Sequence, residues 1–597
     1  MSEFDLLIRN ALIVDGKGKP GYTGSIAVTG DKVAQIGEVR GDAHKEIDAS
    51  GLVASPGFID AHSHGDGTIL YYPKAQSYLL QGVTTFVGGQ CGGSPAPIGD
   101  KITLPGIASD FIEELIRFKY YPEKTLFPRD QVNALMKEKF GWTVDWNTME
   151  EFFRFVENRG ISMNMAPLVG QGTARLCVMG EDYKRHSTKV ELAQIKGLIT
   201  QAMEDGCIGL STGLDYDPGV WASKEEINEC VAVMKQYGGV YSPHWRRTGR
   251  RRGLKMGERR ENKVDGILEA IESARITGVS THLAHLTPGW RLVPEGNDVM
   301  EEANIRATLK FIDDAIEEGL DITFDAMPWF IFGGFNEMPY LCSLLTPWLR
   351  ERGSRQGLAE WLRIPDYRQE IKDSIAEGKW YIRMSYNPNS NAQWAENVWV
   401  VKHKSPDCDG KTVEQIAKQR AANPLDTYFD LICEDPDCRG VATNVAESGN
   451  FPYKAYRDLF FHHRACSLSL DTYVVDNTRQ QIGPPYSMPA INTFSAFPGF
   501  LIRFVRETKQ FPLEQAVRKI STLAAEHYRI RNRGVLEQGA YADITLFDLE
   551  KLEVLGDPVE PRKYPRGIEH VFVNGVQVVK NGTHTDATPG RILRRES

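Results

Sequence analysis

The chain has 597 residues, of which 41% are hydrophobic and 25% are charged, as in ordinary water-soluble proteins. A chain of this length exceeds one small core, so we expect a large domain with at least one smaller domain. The net charge of -9 argues against nucleic acid or an anionic membrane as the main partner. We find no secretory signal and no uncharged apolar run of about 18 residues, so we expect a cytoplasmic protein.

Nine cysteines are too few for a disulfide scaffold in a chain of this length, so free thiols are expected. Three of them, Cys408, Cys433 and Cys438, lie near His403 in the sequence. Their spacings are looser than those of a typical zinc knuckle. We therefore favour an ordinary loop there and keep a structural zinc site as the alternative.

Short alternating apolar runs occupy both ends of the chain. Residues 4–55 contain "FDLLIRNALIVDG" and "GSIAVTGDKVAQIGEV", and the far end contains "ADITLFDL" and "HVFVNGVQVVKNG". In the last of these, Asn574 and Gly575 form a two-residue hairpin signal. The pattern predicts one small β-sandwich domain built from residues 1–55 and 535–597.

Residues 56–534 alternate short apolar runs with longer amphipathic stretches, which is typical of βα units and a parallel sheet. Helices are predicted at 189–206, 224–238, 264–278 and 305–319, each ending at a glycine. Eight strands are predicted: "GFIDAHSH", "GVTTFVGG", "SMNMAPLVG", "CIGLSTG", "GVYSPH", "VSTHLAH", "LDITFDA" and "ACSLSLD". The pattern indicates an α/β fold, a (β/α)8 TIM barrel, with residues 330–440 as an insertion between the last two strands.

Metal-binding side chains occur at the ends of five predicted strands. In such a barrel the working residues lie at the C-terminal strand ends. His62 and His64 are two residues apart, so in extended backbone they point to the same face. Imidazole, thiolate and carboxylate are the ligands that zinc prefers. The sequence therefore predicts a zinc site with six candidate ligands: His62, His64, Cys91, His244, His285 and Asp471.

Two nearby residues are given lesser roles. His282 precedes His285 by three positions, and we interpret it as a packing residue or as support for a ligand. Cys207 lies early in its strand, where an inert buried thiol is expected.

Several segments together resemble a known family. "PGFIDAHSH" resembles the amidohydrolase superfamily, and "GVTTFVGGQCGGSPAP", "GLSTGLDYDPG" and "RGVLEQGAYADITLFD" resemble its N-acyl-D-amino-acid deacylase (D-aminoacylase) family. The resemblance runs from about residue 4 to residue 596 and is weakest across residues 330–440. It implies one zinc held tightly by Cys91, His244 and His285. A second, weaker position would be framed by His62, His64 and Asp471, and its occupancy is left open.

The resemblance also implies an activity. It predicts a zinc-dependent hydrolase that cleaves the amide bond of an N-acyl amino acid, or a related amide, by metal-activated water. Asp471 would take a proton from the water and deliver it to the leaving nitrogen. Tyr216 would either support the oxyanion or simply pack, and the sequence does not separate these alternatives.

The departures from the family pattern concern the substrate. In the family a lysine that helps to hold the substrate carboxylate follows the strand-six histidine by two residues, and here that position is Thr287. The missing charge must therefore come from elsewhere. Arg246 matches the family's "HxR" segment and is predicted to bind the carboxylate, with help from one of the neighbouring arginines 247 and 250–252, most of which we expect to be solvated.

Two other readings remain. The first is a cyclic amide hydrolase of the hydantoinase, dihydropyrimidinase or lactamase kind, although that branch would have a lysine where this chain has Cys91. The second is a non-catalytic scaffold on the same fold, although here no ligand is lost. A small-molecule substrate is expected in either hydrolase, and a homo-oligomer is left open.

Overall fold

The structure is a computed structural model. It describes residues 3–112, 114–115, 126–246, 263–290, 297–328, 336–338, 345–377, 393–442, 458–479, 489–557 and 560–595. Within these ranges no helix combines the length and the apolar composition that crossing a membrane demands.

Eight parallel strands form the central sheet, and each pairs with the next one along the chain. The first and last strands meet through a bridge between Ser63 and Thr472 and a 3.0 Å hydrogen bond from the Asp471 amide to the His62 carbonyl. The predicted TIM barrel and all eight of its strands are thus confirmed. The strands span Phe58–Asp60, Val83–Gly88, Asn164–Gly170, Gly209–Gly213, Val240–His244, Thr281–Leu283, Ile322–Ala326 and Cys466–Leu468.

Helices connect these strands on the outside of the barrel. The helix Asp298–Glu317 begins about two turns earlier than the apolar pattern predicts, because the Asn297 side chain accepts a hydrogen bond from the Met300 amide and caps the added turns. The segment predicted as one helix at 224–238 is divided at Val233. The remaining barrel helices span Gln76–Leu79, Arg129–Phe140, Met149–Arg159, Gln171–Met179, Lys189–Glu204, Lys224–Ala232, Met234–Tyr237, Lys263–Thr277, Asn492–Phe500, Leu513–Lys519 and Thr522–His527.

The two ends of the chain meet in one nine-stranded sheet. The strand Val53–Pro56 joins them, because it pairs in parallel with Phe4–Ile13 and antiparallel with Ile544–Phe547. Asn574 and Gly575 both have positive φ, +50° and +79°, as the predicted hairpin turn requires. The other strands of this sheet span Tyr22–Thr29, Lys32–Gly37, Ala43–Asp48, Ile568–Val573, Val576–Lys580 and Thr583–His584.

The predicted insertion between the seventh and eighth barrel strands has a core of its own, which includes Trp348, Phe429 and Ile432. Its described cysteines and His403 do not form a metal-binding group, because within the described parts of the chain such groups of three occur only at the barrel strand ends. The structure thus gives no support to the zinc alternative there. The insertion's elements span Asn336–Glu337, Thr346–Arg352, Arg355–Leu362, Pro365–Ala376, Val398–Lys402, Val413–Arg420, Pro424–Glu434 and Arg439–Ala442.

Candidate metal centre

The thiol of Cys91 lies at the centre of the candidate site. Its Sγ atom is 3.3 Å from Nε2 of His62, 3.4 Å from Nδ1 of His244 and 3.5 Å from Nε2 of His285. The two nitrogens of His244 and His285 are themselves 3.1 Å apart. One sulfur and several imidazole nitrogens from four different strand ends therefore converge on one point.

These separations fit a zinc ion. With zinc–sulfur bonds of about 2.3 Å and zinc–nitrogen bonds of about 2.0 Å, tetrahedral ligands lie roughly 3.3 to 3.6 Å apart. The sulfur–nitrogen distances fall within or at the edge of that range, and the nitrogen–nitrogen distance is slightly shorter. Burial also lowers the pKa of His62 well below its usual range, so this imidazole is neutral, which is the form that binds metals.

A second group shares the same thiol. His62, His64 and Cys91 have ligand atoms within 4.8 Å of one another. Oδ1 of Asp471 is 3.6 Å from Nε2 of His62 and 3.4 Å from Nε2 of His64. Burial opposes protonation of His64, but its hydrogen bonds to Asp471 and Cys91 raise its pKa well above the usual range. Protonation of His64 and metal binding to it therefore compete for the same nitrogen.

Three of these residues adopt a backbone conformation that side chains other than glycine rarely adopt. Cys91 has φ +56°, His285 has φ +34° and Asp471 has φ +48°. Each such residue costs about 1 kcal/mol or more, and such strain concentrates at functional sites. The strain turns these three side chains inward at points where the strands have just ended.

The glycines on both sides of Cys91 allow its loop to approach neighbouring backbone closely. A Cβ atom on Gly89 would lie 2.0 Å from the Leu168 carbonyl oxygen, and one on Gly92 would lie 2.5 Å from the Gly213 amide nitrogen. Both glycines have φ +75°. Glycine on either side thus lets the loop that carries Cys91 press against the third and fourth barrel strands.

Comparison with known proteins gives relatives of this chain in sequence and in fold. The amidohydrolase family model matches residues 472–578. Over its whole length the chain is 27% identical to N-acyl-D-glutamate deacylase of Alcaligenes xylosoxydans xylosoxydans, covering 97% of that protein. It is 25% identical to D-aminoacylase of the same organism, with 99% of this chain and 98% of that protein covered. The chain thus resembles amidohydrolases over residues 472–578 and two deacylases over its whole length.

A solved structure shares the fold of this protein. N-acyl-D-glutamate deacylase from Bordetella bronchiseptica superposes with a TM-score of 0.65 at 24% sequence identity, covering 99% of both chains. That structure holds zinc and a phosphonate inhibitor that mimics the tetrahedral intermediate of its reaction.

Two buried carboxylates support the candidate ligands, and the sequence did not single them out. Asp60 accepts hydrogen bonds from the amides of His62 and Leu470, at 3.1 and 2.8 Å, and so ties the first and last barrel strands together. Burial raises the pKa of Asp60 to about 8. Its position, two residues before His62 in "DAHSH", is the only sequence signal for this role.

Asp325 supports the sixth strand in a similar way. Its Oδ1 atom accepts the backbone amide of His285 at 3.0 Å and lies 3.1 Å from Nε2 of His282. His282 is fully buried, as is the Asp325 side chain. His282 therefore supports a ligand through Asp325, one of the two roles that the sequence left open for it. Such partners usually influence metal affinity strongly.

Arg246 is not arranged as the sequence predicts. Its guanidinium group is buried, donates to Glu269 at 3.1 and 3.3 Å, and also donates to the carbonyls of Val220 and Ala222. Glu269 occupies the bidentate face that a substrate carboxylate would need. We therefore assign Arg246 a structural role that links the helix Lys263–Thr277 to the loop after the fourth strand. The neighbouring arginines 247 and 250–252 lie outside the described residues.

Tyr216 also has a different partner from the one expected of an oxyanion donor. Its hydroxyl donates a 2.9 Å hydrogen bond to the backbone carbonyl of Cys91. A tyrosine hydroxyl has one proton, so this bond removes it as a donor to an oxyanion. The ring lies edge-on to His244 with the centroids 4.9 Å apart. Tyr216 therefore positions two of the candidate ligands, Cys91 and His244.

Proposed function

We propose that this protein is an amidohydrolase, a zinc-dependent hydrolase that cleaves the amide bond of an N-acyl amino acid. One observation carries the proposal: the Cys91 thiol lies 3.3 to 3.5 Å from nitrogens of His62, His244 and His285. Relatives that match the full chain are deacylases of N-acyl-D-amino acids. The donor set of one thiol and several imidazoles suits zinc better than magnesium or calcium, which prefer oxygen.

We assign the tighter metal position to Cys91, His244 and His285, and a weaker one to His62 and His64 with the shared thiol. When bound, zinc lowers the pKa of a coordinated water to about 7 and polarises the scissile carbonyl. The thiol must bind as a thiolate, and the barrel holds it at a strand end where the three imidazoles already face it.

Asp471 handles protons in this proposal. Its carboxylate is partly exposed, at 16%, and lies between the imidazoles of His62 and His64. From there one oxygen atom can accept a proton from the attacking water and then deliver it to the leaving nitrogen. The bond from the Asp471 amide to the His62 carbonyl holds the strained backbone that points the carboxylate inward.

The experiment that tests this function is a hydrolysis screen on protein of measured zinc content. N-acetyl and longer N-acyl forms of D- and L-amino acids are compared with hydantoins, dihydropyrimidines and lactams. We expect turnover of at least one N-acyl amino acid, loss of turnover on chelation, and recovery on adding zinc. Turnover of cyclic amides alone, or equal activity after complete chelation, would refute the proposal.

A further inference from the structure

Three buried side chains close a ring of hydrogen bonds beside the candidate metal ligands. The Gln90 amide donates from Nε2 to the Tyr528 hydroxyl at 3.0 Å, and its Oε1 atom accepts from the Ser242 hydroxyl at 2.9 Å. The hydroxyl oxygens of Tyr528 and Ser242 are 3.1 Å apart. Because the single hydroxyl proton of Ser242 goes to Gln90, Tyr528 is the donor in this last bond. The three bonds therefore run in one direction around a closed ring.

Every proton of this ring has an acceptor inside the protein. The second proton of the Gln90 Nε2 atom goes to the Ala61 carbonyl at 3.1 Å. Gln90, Ser242 and Tyr528 are 1%, 0% and 1% exposed, so water does not compete for these bonds. A buried polar network of this kind stabilises the protein only while it is complete, because an atom that loses its partner still bears the cost of leaving water.

The ring joins backbone segments that carry three of the candidate ligands. The neighbours in sequence are Ala61 and His62, Gln90 and Cys91, and Ser242 and His244. The first two pairs are consecutive residues, and the members of the third pair are two residues apart. Two residues span at most about 7 Å. A shift of any member of the ring is therefore passed to a ligand through a short piece of backbone.

Gln90 lies at the most strained part of the loop that carries the thiol. The residues on either side of it, Gly89 and Cys91, have φ +75° and +56°. A non-glycine residue keeps such a conformation only where the surrounding structure holds it. The Gln90 side chain is bound to the first strand end, to the fifth strand and to Tyr528. These three bonds fix the direction in which the chain enters Cys91.

Tyr528 also contacts the support of a fourth candidate ligand. It directly follows the helix Thr522–His527, and its ring centroid is 4.8 Å from that of His282. His282 lies 3.1 Å from Asp325, which accepts the backbone amide of His285. One tyrosine side chain therefore bonds to the ring with its hydroxyl and packs with its face against the support of the sixth strand.

We propose that the hydrogen-bonded ring of Gln90, Ser242 and Tyr528 holds the candidate ligands in the arrangement that binds zinc. This inference rests on the zinc site of the proposed function and adds three positioning residues to it. They act through the neighbouring ligands and not on the metal or the substrate. Ligands that are already held lose less conformational freedom on binding, so an intact ring raises the affinity for zinc.

The test opens the ring with Tyr528→Phe and with Ser242→Ala. Each variant should bind zinc about tenfold more weakly in competition with a chromogenic chelator, the lower end of the usual effect of losing a partner that orients a ligand. In the cobalt-loaded proteins the thiolate-to-cobalt absorption band should change, because it depends on the orientation of the Cys91 thiolate. The double variant should lose less affinity than the product of the two single losses, since both break the bond from Tyr528 to Ser242.

Tyr428→Phe is the matched control. Tyr428 is also 1% exposed, and its hydroxyl donates to the Met338 carbonyl in the core of the insertion. The control should lower the melting temperature and leave the zinc affinity and the cobalt spectrum unchanged.

Gln90→Glu tests the centre of the ring. The substitution keeps the shape of the side chain, but a carboxyl group has at most one proton and cannot donate to both Ala61 and Tyr528. Its zinc affinity should fall further than that of Tyr528→Phe. If this variant does not fold, the two milder variants and their control decide the question.

The outcomes separate this inference from the proposed function. If the unaltered protein binds no zinc, both are wrong. If it binds zinc but hydrolyses no N-acyl amino acid, the proposed function alone is wrong. If Tyr528→Phe and Ser242→Ala keep the zinc affinity and the cobalt spectrum of the unaltered protein, the role of the ring is wrong. An equal loss of affinity in Tyr428→Phe would also overturn it, because the loss would then come from the stability of the fold.

Discussion

The Tyr216 hydroxyl donates its proton to the backbone carbonyl of Cys91, the residue whose thiol lies among three imidazoles. This bond holds a residue with φ +56°, a conformation that the chain does not favour by itself. The contact thus links a tyrosine after the fourth strand to the metal-binding loop after the second.

Tyr216→Phe should retain the fold and weaken zinc binding by about tenfold, the lower end of the usual effect of losing a partner that orients a ligand. Competition with a chromogenic chelator measures this affinity. Tyr183→Phe is the control, because the Tyr183 hydroxyl donates to Asp217 instead. Equal zinc affinity in the two variants would show that the bond to Cys91 does not matter for the metal.

Cys91→Ala should abolish both tight zinc retention and hydrolysis. The substitution removes the one ligand that the two metal-binding groups share. Elemental analysis after gel filtration measures the zinc that remains. The control is Cys177→Ala, which removes a half-exposed thiol outside those groups. A Cys91→Ala protein with full zinc content and an unchanged rate would rule out the proposed site.

Asp471→Asn should keep the fold and the tight zinc while losing most of kcat. An amide retains the shape of the carboxylate but cannot accept and return a proton, a role typically worth 10²- to 10⁴-fold in rate. Zinc analysis with steady-state kinetics at several pH values separates loss of metal from loss of chemistry. Near-normal turnover would remove Asp471 from the mechanism.

The barrel could be predicted from sequence, because each of its strands carries a buried apolar run. The six candidate ligands were chosen because they stand at or just after the ends of five of these runs, and their role stays a prediction. The geometry within the site could not be predicted from the sequence. The bonds from Tyr216 to Cys91 and from Gln90 to Tyr528 join residues far apart in the chain, and no local pattern encodes them. For the same reason the prediction for Arg246 failed. Its place two residues after His244 in the sequence does not reveal that its guanidinium group pairs with Glu269.

Arg246→Ala should destabilise the fold and should not act selectively on carboxylate substrates. Arg246 and Glu269 are 5% and 8% exposed, so removing the arginine leaves a buried carboxylate without its partner. Breaking such a pair typically costs about 3 to 5 kcal/mol. Thermal unfolding of the variant measures this loss. In the double variant Arg246→Met with Glu269→Leu, which removes both charges, the melting temperature should partly recover.

A selective rise in KM for substrates with a free carboxylate, at an unchanged melting temperature, would contradict this structural role. It would instead support the sequence-based prediction that Arg246 binds the substrate carboxylate.

His527 should make the stability of the protein depend on pH below neutrality. Burial lowers the pKa of His527 well below its usual range, with a further contribution from His282, whose ring centroid is 5.2 Å away. As the pH falls through about 6.5, the unfolded chain therefore takes up a proton at His527, whereas the folded protein does not. The stabilising contribution is present above pH 6.5 and is lost as the pH falls.

His527→Gln removes this titration, so its melting temperature should fall less between pH 7 and pH 5 than that of the unaltered protein. Differential scanning calorimetry at both pH values measures the difference. The control is His44→Gln, which replaces an exposed histidine in the end sheet and should leave the pH dependence unchanged. Since His527 packs beside His282 and Asp325 lies next to His282, the same variant also reports on the support beneath His285. If the His527→Gln protein loses as much stability on acidification as the unaltered one, the buried histidine does not carry this part of the acid sensitivity.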